Sequence, residues 1–171
     1  MKCLKKKAQS AMEYLMTYGW AILIIAVVLG ALFSLGVFSS SSFLGTACIP
    51  QSGYLCSNPV ANTIALTVTV GQATGSTWYA ASGSNNINFC FVTTGNSITS
   101  PTSGTCPTGT TIQASGPSSL NSGQTFPAVF SFSTTQSIGA GISGQIWAVY
   151  ATSSGGTPLL TEIGTVTAKV A

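Results

Sequence analysis

The stretch KKKAQSAMEYLMTYGWAILIIAVVLGALF, Lys5–Phe33, decides how the rest of the chain is read. It opens on three lysines and then becomes almost continuously apolar. One carboxylate, Glu13, sits at the lip of the apolar run. From Tyr14 to Phe38 there is no charge. About 25 residues of helix at 1.5 Å each cover roughly 37 Å, enough to cross a hydrocarbon core of about 30 Å with some tilt. Lys2, Lys5, Lys6 and Lys7 precede the run, and no cation follows it until Lys169. That asymmetry places the amino terminus in the cytoplasm. Tyr14, Tyr18 and Trp20 lie toward the same end, where amphipathic rings favour the interface. Everything from about Ser39 onward is then expected outside the membrane.

Glu13 needs its own explanation. A carboxylate within a spanning helix costs roughly 2.5–3.5 kcal/mol on insertion scales unless it snorkels or finds a partner. A cleaved secretory signal fits poorly, because its apolar region is about 7–15 residues long and carries no acid. A lipoprotein signal ending at Cys48 fits poorly too, since Gly45 stands where a Leu-like residue is needed. A plain single-pass anchor accommodates the length but gives Glu13 no role.

The residues KKKAQSAMEYL resemble the class III signal peptide of archaeal type IV pilins and pilin-like proteins. In that family a short basic leader ends just before a Gln, a Glu follows four residues later, and a long apolar helix comes next. The matching positions are Gln9, Ala11 and Glu13, with Lys5, Lys6 and Lys7 as the leader charge. The resemblance covers about the first 38 residues. It implies a prepilin peptidase that cuts between Ala8 and Gln9, at the cytoplasmic face. The cut frees an α-amino group on Gln9, and Glu13, now the fifth residue, is its complementary charge in the same chain or a neighbouring subunit. The further partners implied are other copies of the chain in a helical homopolymer, a pilus assembly ATPase and a membrane platform, with the membrane as the site before assembly. The expected divisions are a leader over 1–8, an apolar helix over 9–38, a hinge over 39–47 and an extracellular β-domain over 48–171. Gly19, Ala26, Gly30, Ala31 and Gly36 are small residues that permit close helix approach in apolar surroundings, although no GxxxG pair occurs.

Composition narrows the function classes. Only 4% of the 171 residues are charged, and Asp, Arg and His are absent. General acid–base catalysis needs a positioned titratable group, and nucleophilic sites need an activating base. For zinc, without His, only a site of four cysteines is conceivable, and no CxxC pair occurs. No phosphate-binding Gly loop ending in Lys and no basic stripe for nucleic acid is present. The expectation is a non-enzymatic protein with no cofactor, no metal and no nucleic-acid partner. A hydrophobic fraction of 45% also sets the chain apart from disordered polymers, which are apolar-poor and charge-rich.

Beyond Ser39 the pattern changes to β-branched and aromatic residues punctuated by Gly, Pro, Asn and Ser. The strands expected are Thr63–Val70, Trp78–Ala80, Asn86–Thr93, Thr110–Ala114, Ala128–Ser133, Gln145–Ala151 and Thr161–Val170. Period-two alternation runs through Ile64, Leu66, Val68 and Val70, and through Ile87, Phe89 and Phe91. It recurs in Phe126, Ala128, Phe130 and Phe132, and in Ile146, Ala148 and Tyr150. Such alternation with turns between predicts half-buried antiparallel sheets. The fold class expected is α+β: a long amino-terminal helix followed by an all-β, Ig-like sandwich. Resemblance to the outer domains of archaeal pilins and archaellins points the same way. Trp147 and the Trp78–Tyr79 pair are expected in the core, with contact to a surface or glycan as the alternative. Ser97–Gly109 is expected to be an exposed loop clipped by Cys106.

Five cysteines, Cys3, Cys48, Cys56, Cys90 and Cys106, are an awkward number outside the cell. Removal of the leader takes Cys3 away. The remaining four allow three pairings. The sequence-local one, Cys48–Cys56 with Cys90–Cys106, is expected, since oxidising surroundings permit disulfides. The whole reads as a pilin-like surface-filament subunit. Its rivals are a minor pilin or archaellin-like protein and a non-polymerising, membrane-anchored β-domain.

Overall fold

The computed structural model describes residues 3–35, 45–107 and 111–171, and the chain divides into two compact units, 1–43 and 44–171. The first is a single helix, α1 (Cys3–Ser34), whose last turn is continued by a hydrogen bond from the Leu35 amide to the Ala31 carbonyl at 2.9 Å. Within it, Met12–Ser34 is long and apolar enough to cross a membrane. It starts earlier than the expected 9–38, inside the basic leader, and the described part of the segment runs to Leu35. Val37 and Phe38 lie outside the described residues, as does most of the expected hinge.

The second unit is all β. Among its described residues the strands are β1 (Ala47–Pro50), β2 (Tyr54–Ala61), β3 (Ala65–Gln72), β4 (Trp78–Tyr79), β5 (Asn88–Thr93), β6 (Thr111–Ser115), β7 (Ser119–Leu120), β8 (Thr125–Ser131), β9 (Gly141–Tyr150) and β10 (Leu159–Lys169). One sheet runs β1-β10-β9-β5-β6, a second β2-β3-β8, and β4 pairs β7. All of these pairings are antiparallel. Seven elements match the expected strands to within a few residues. β1, β2 and β7 were not anticipated, and the expected hinge over 39–47 runs into the first residue of β1.

The period-two pattern explains the core. Leu66, Val68, Val70, Ala128 and Phe130 project from the three-stranded sheet, and Phe89, Phe91, Ile146 and Ala148 from the five-stranded one. All nine are fully buried in one shared cluster. Aromatic pairs join the two sheets: Phe91 lies 5.8 Å from Phe130 and Phe89 lies 6.0 Å from Phe126, centroid to centroid. Burying a side chain of this size contributes about 1.5–3 kcal/mol. Gly144 on β9 is required by close approach, because a Cβ there would meet the Phe91 ring at 2.7 Å.

Covalent and polar links close the unit. The Cys48–Cys56 disulfide joins β1 of one sheet to β2 of the other, with Cα atoms 5.7 Å apart. A parallel bridge between Ala61 and Val170 does the same at the end of the chain. The edge strands β1, β2 and β8 contain Pro50, Pro59 and Pro127 respectively. Proline has no amide to offer an incoming strand, so these edges resist sheet-to-sheet association.

Candidate functional site

The site proposed from sequence lies on α1. Ala8 and Gln9 fall within the uninterrupted helix, and so do Lys5, Lys6 and Lys7. Gln9 and Glu13 are four residues apart, so the two positions lie on one face a turn apart. Glu13 is exposed. Tyr14 and Tyr18, another four-residue pair, pack their rings at 4.4 Å. The apolar residues that follow are exposed on every side of the helix, from Met16 at 81% and Trp20 at 70% to Phe33 at 67%. None of the Met12–Ser34 segment is buried within the chain. A helix apolar all round belongs in a membrane or a larger packed assembly. Apart from the helix's own neighbouring backbone, no atom lies within 4 Å of where a Cβ would stand on Gly19 or Gly30, so both positions offer open close-approach surface.

The cysteines adopt the sequence-local pairing. Besides Cys48–Cys56, Cys90 on β5 is bonded to Cys106, again with Cα atoms 5.7 Å apart. This second bridge lies on the outer face of the five-stranded sheet. There Cys90, Cys106 and Val149 form a satellite cluster covered by Ile98, Trp147 and Leu160. The Ser97–Pro107 loop is therefore clipped down, as expected, and is not wholly exposed. A polar network fastens its far end. The buried Asn88 amide donates to Gly104 O at 2.6 Å and Ser84 Oγ at 2.8 Å, while its Oδ1 accepts from Gln113 Nε2 at 3.0 Å.

The aromatic expectations divide. Trp78 is buried in the main core, stacked on Tyr150 at 4.0 Å. Trp147 is not in that core. It occupies the other face of β9, half-buried among the satellite residues opposite Cys90. Its position between Ile146 and Ala148, both inward, dictates this in a period-two strand. Trp78 thus presents no free ring to a ligand, and the ring of Trp147 is covered in part.

The structure adds a feature that sequence reasoning missed. At one end of the β unit, a cleft of about 290 Å³ opens between the ends of β5 and β8 and the starts of β6 and β9. Phe91, Phe132 and Ile142 supply apolar wall, and Thr94, Ser143 and Gln136 supply polar groups. Scattered hydroxyls in a Ser- and Thr-rich chain carry no periodic signal, so nothing in the sequence marks these positions. Among the described residues, no group of three or more Cys, Asp or Glu could hold a metal ion. No protein-family model, curated protein or solved structure matches the chain.

Proposed function

We propose that the chain is the structural subunit of an archaeal type IV pilus-like surface filament, supporting adhesion. A prepilin peptidase trims it between Ala8 and Gln9, and copies assemble through α1. The observation that carries this reading is a helix apolar over its whole circumference, joined to a β unit that buries its own core. The helix needs a partner and the β unit does not. Lipid serves before assembly and neighbouring helices after it. Since lipid is as apolar as Leu, packing specificity drives the exchange.

Trimming gives Glu13 a purpose. In the untrimmed helix it lies in the third turn from Cys3. After removal of 1–8 the helix opens at Gln9, and Glu13 falls at the edge of the first turn. Helical side chains lean toward the amino terminus, so its carboxylate reaches toward the unsatisfied amides there and toward the new α-amino group. The same charge is available to a neighbouring copy's terminus. Glu13→Gln tests this: processing at Gln9 is retained while filament yield falls at least tenfold. Normal filament yield would remove the assembly role.

The strand order supports an Ig-like sandwich as the finer description of the β unit. With β2-β3-β8 read as strands A, B and E, and β10-β9-β5-β6 as G, F, C and C′, the two sheets follow the immunoglobulin order. The cleft favours a second reading, a membrane-anchored binding module that never polymerises. High abundance in a sheared filament fraction separates the major subunit from that reading and from a minor or archaellin-like protein.

A further inference from the structure

We infer that the cleft between β5, β6, β8 and β9 binds a neutral saccharide. Among the described residues, no charged side chain lines it. A charged ligand would lose hydration there without gaining a counter-charge, which is costly. The walls are of two kinds. Phe132 is half-buried and Ile142 keeps a small exposed edge, and together they give an apolar surface suited to the C–H face of a sugar ring, with the buried Phe91 packed behind them. Thr94, Ser143 and Gln136 bring groups that donate and accept, as sugar hydroxyls do.

These polar groups are already held in place. Thr94 Oγ1 and Ser143 Oγ share a hydrogen bond of 3.0 Å across β5 and β9, fixed by the Thr94 amide donating to Ser143 O at 3.1 Å. Each hydroxyl retains capacity for a second bond. Gln136 Nε2 donates to Thr134 O at 3.0 Å, and the Gln136 amide donates to Thr63 O at 2.7 Å. Its carboxamide is anchored while keeping an acceptor oxygen. Groups immobilised beforehand reduce the ordering cost of binding.

Size and continuity set the class of ligand. A volume of about 290 Å³ stands at the small end for ligand clefts and suits one ring. A second hollow of about 250 Å³ adjoins it, sharing Thr93, Thr94 and Ser143 and extending over Asn96, Gln145 and Thr165. Among the described residues it too has no charged lining. The two together accept a disaccharide or the end of a longer neutral chain. Trp78 and Trp147, the rings that would otherwise be sought for sugar stacking, are committed elsewhere.

The inference does not rest on filament assembly, and the test keeps the two apart by using the full chain in zwitterionic detergent micelles. Saturation-transfer NMR is recorded with maltose and lactose as probes and glucuronate as the charged control. Transfer to ring protons of at least one neutral disaccharide is expected, with none to glucuronate. Thr94→Val/Gln136→Leu should weaken binding at least tenfold while the β unit stays folded and melts cooperatively. Ser103→Ala, in the clipped loop, should leave binding unaltered. No transfer to either neutral sugar, or transfer that the double variant retains in full, would overturn the inference. Competition between glycans from the producing cell's own envelope and those of a foreign surface then identifies the source.

Discussion

Along α1, Met16, Trp20 and Phe33 stand 67–81% exposed, whereas Trp78, Phe89 and Phe91 in the β unit are 0–1% exposed. Both regions are rich in large apolar groups, and they differ in where the covering surface comes from. The β unit covers itself, sheet against sheet. The helix presents its apolar surface in all directions and must be covered from outside the chain. Charge follows the same division. Four of the five lysines precede the spanning segment, while the β unit carries only Glu162 and Lys169. A substitution should therefore act on folding in one region and on location in the other.

The largest effect belongs to the core. Phe130→Ala should destabilise the β unit by about 3–5 kcal/mol, seen as a lowered melting temperature, with membrane insertion unchanged. Loss of insertion in that variant would break the division. The converse is Val27→Lys, in the middle of the spanning segment. It costs roughly 2.5–3.5 kcal/mol of insertion and should shift the chain out of the membrane fraction, leaving the melt of the β unit as it was. Disulfides come next. The Cys90–Cys106 loop spans 16 residues and the Cys48–Cys56 loop 8. Chain entropy gives about 3 and about 2.5 kcal/mol respectively. Cys90→Ala/Cys106→Ala should thus lower the denaturation midpoint more than Cys48→Ala/Cys56→Ala. The reverse order would mean that the inter-sheet link matters more than loop length. The smallest effect is local: Asn62 Oδ1 accepts from the Ile64 and Ala65 amides at 2.9 and 2.7 Å. Asn62→Ala should cost about 1 kcal/mol, as loss of a turn-fastening side chain does.

What was legible in the sequence follows from the same physics. The long apolar helix was legible because hydropathy accumulates over many residues. The central strands β3, β5, β8 and β9 were legible because one buried face forces alternation. β1 and β2 escaped because edge strands are under weaker demands. Pro50 and Pro59 read as loop punctuation, and Asn58, with φ of 49°, interrupts the pattern beside a register shift in β2. Trp147 packs against the smaller of the two apolar clusters, on the face that its place between Ile146 and Ala148 fixes. The cleft depends on which loops meet at one end of the unit, and sequence order does not give that. Glu13 stood out because a charge is costly there.

The most direct test of the pilin reading is the mass of the amino-terminal peptide in filaments sheared from native cells. Processing and assembly together predict a peptide that begins at Gln9, free or cyclised. A chain that still begins at Met1 and is found only in membranes would contradict it, and would make this protein an anchored β-domain.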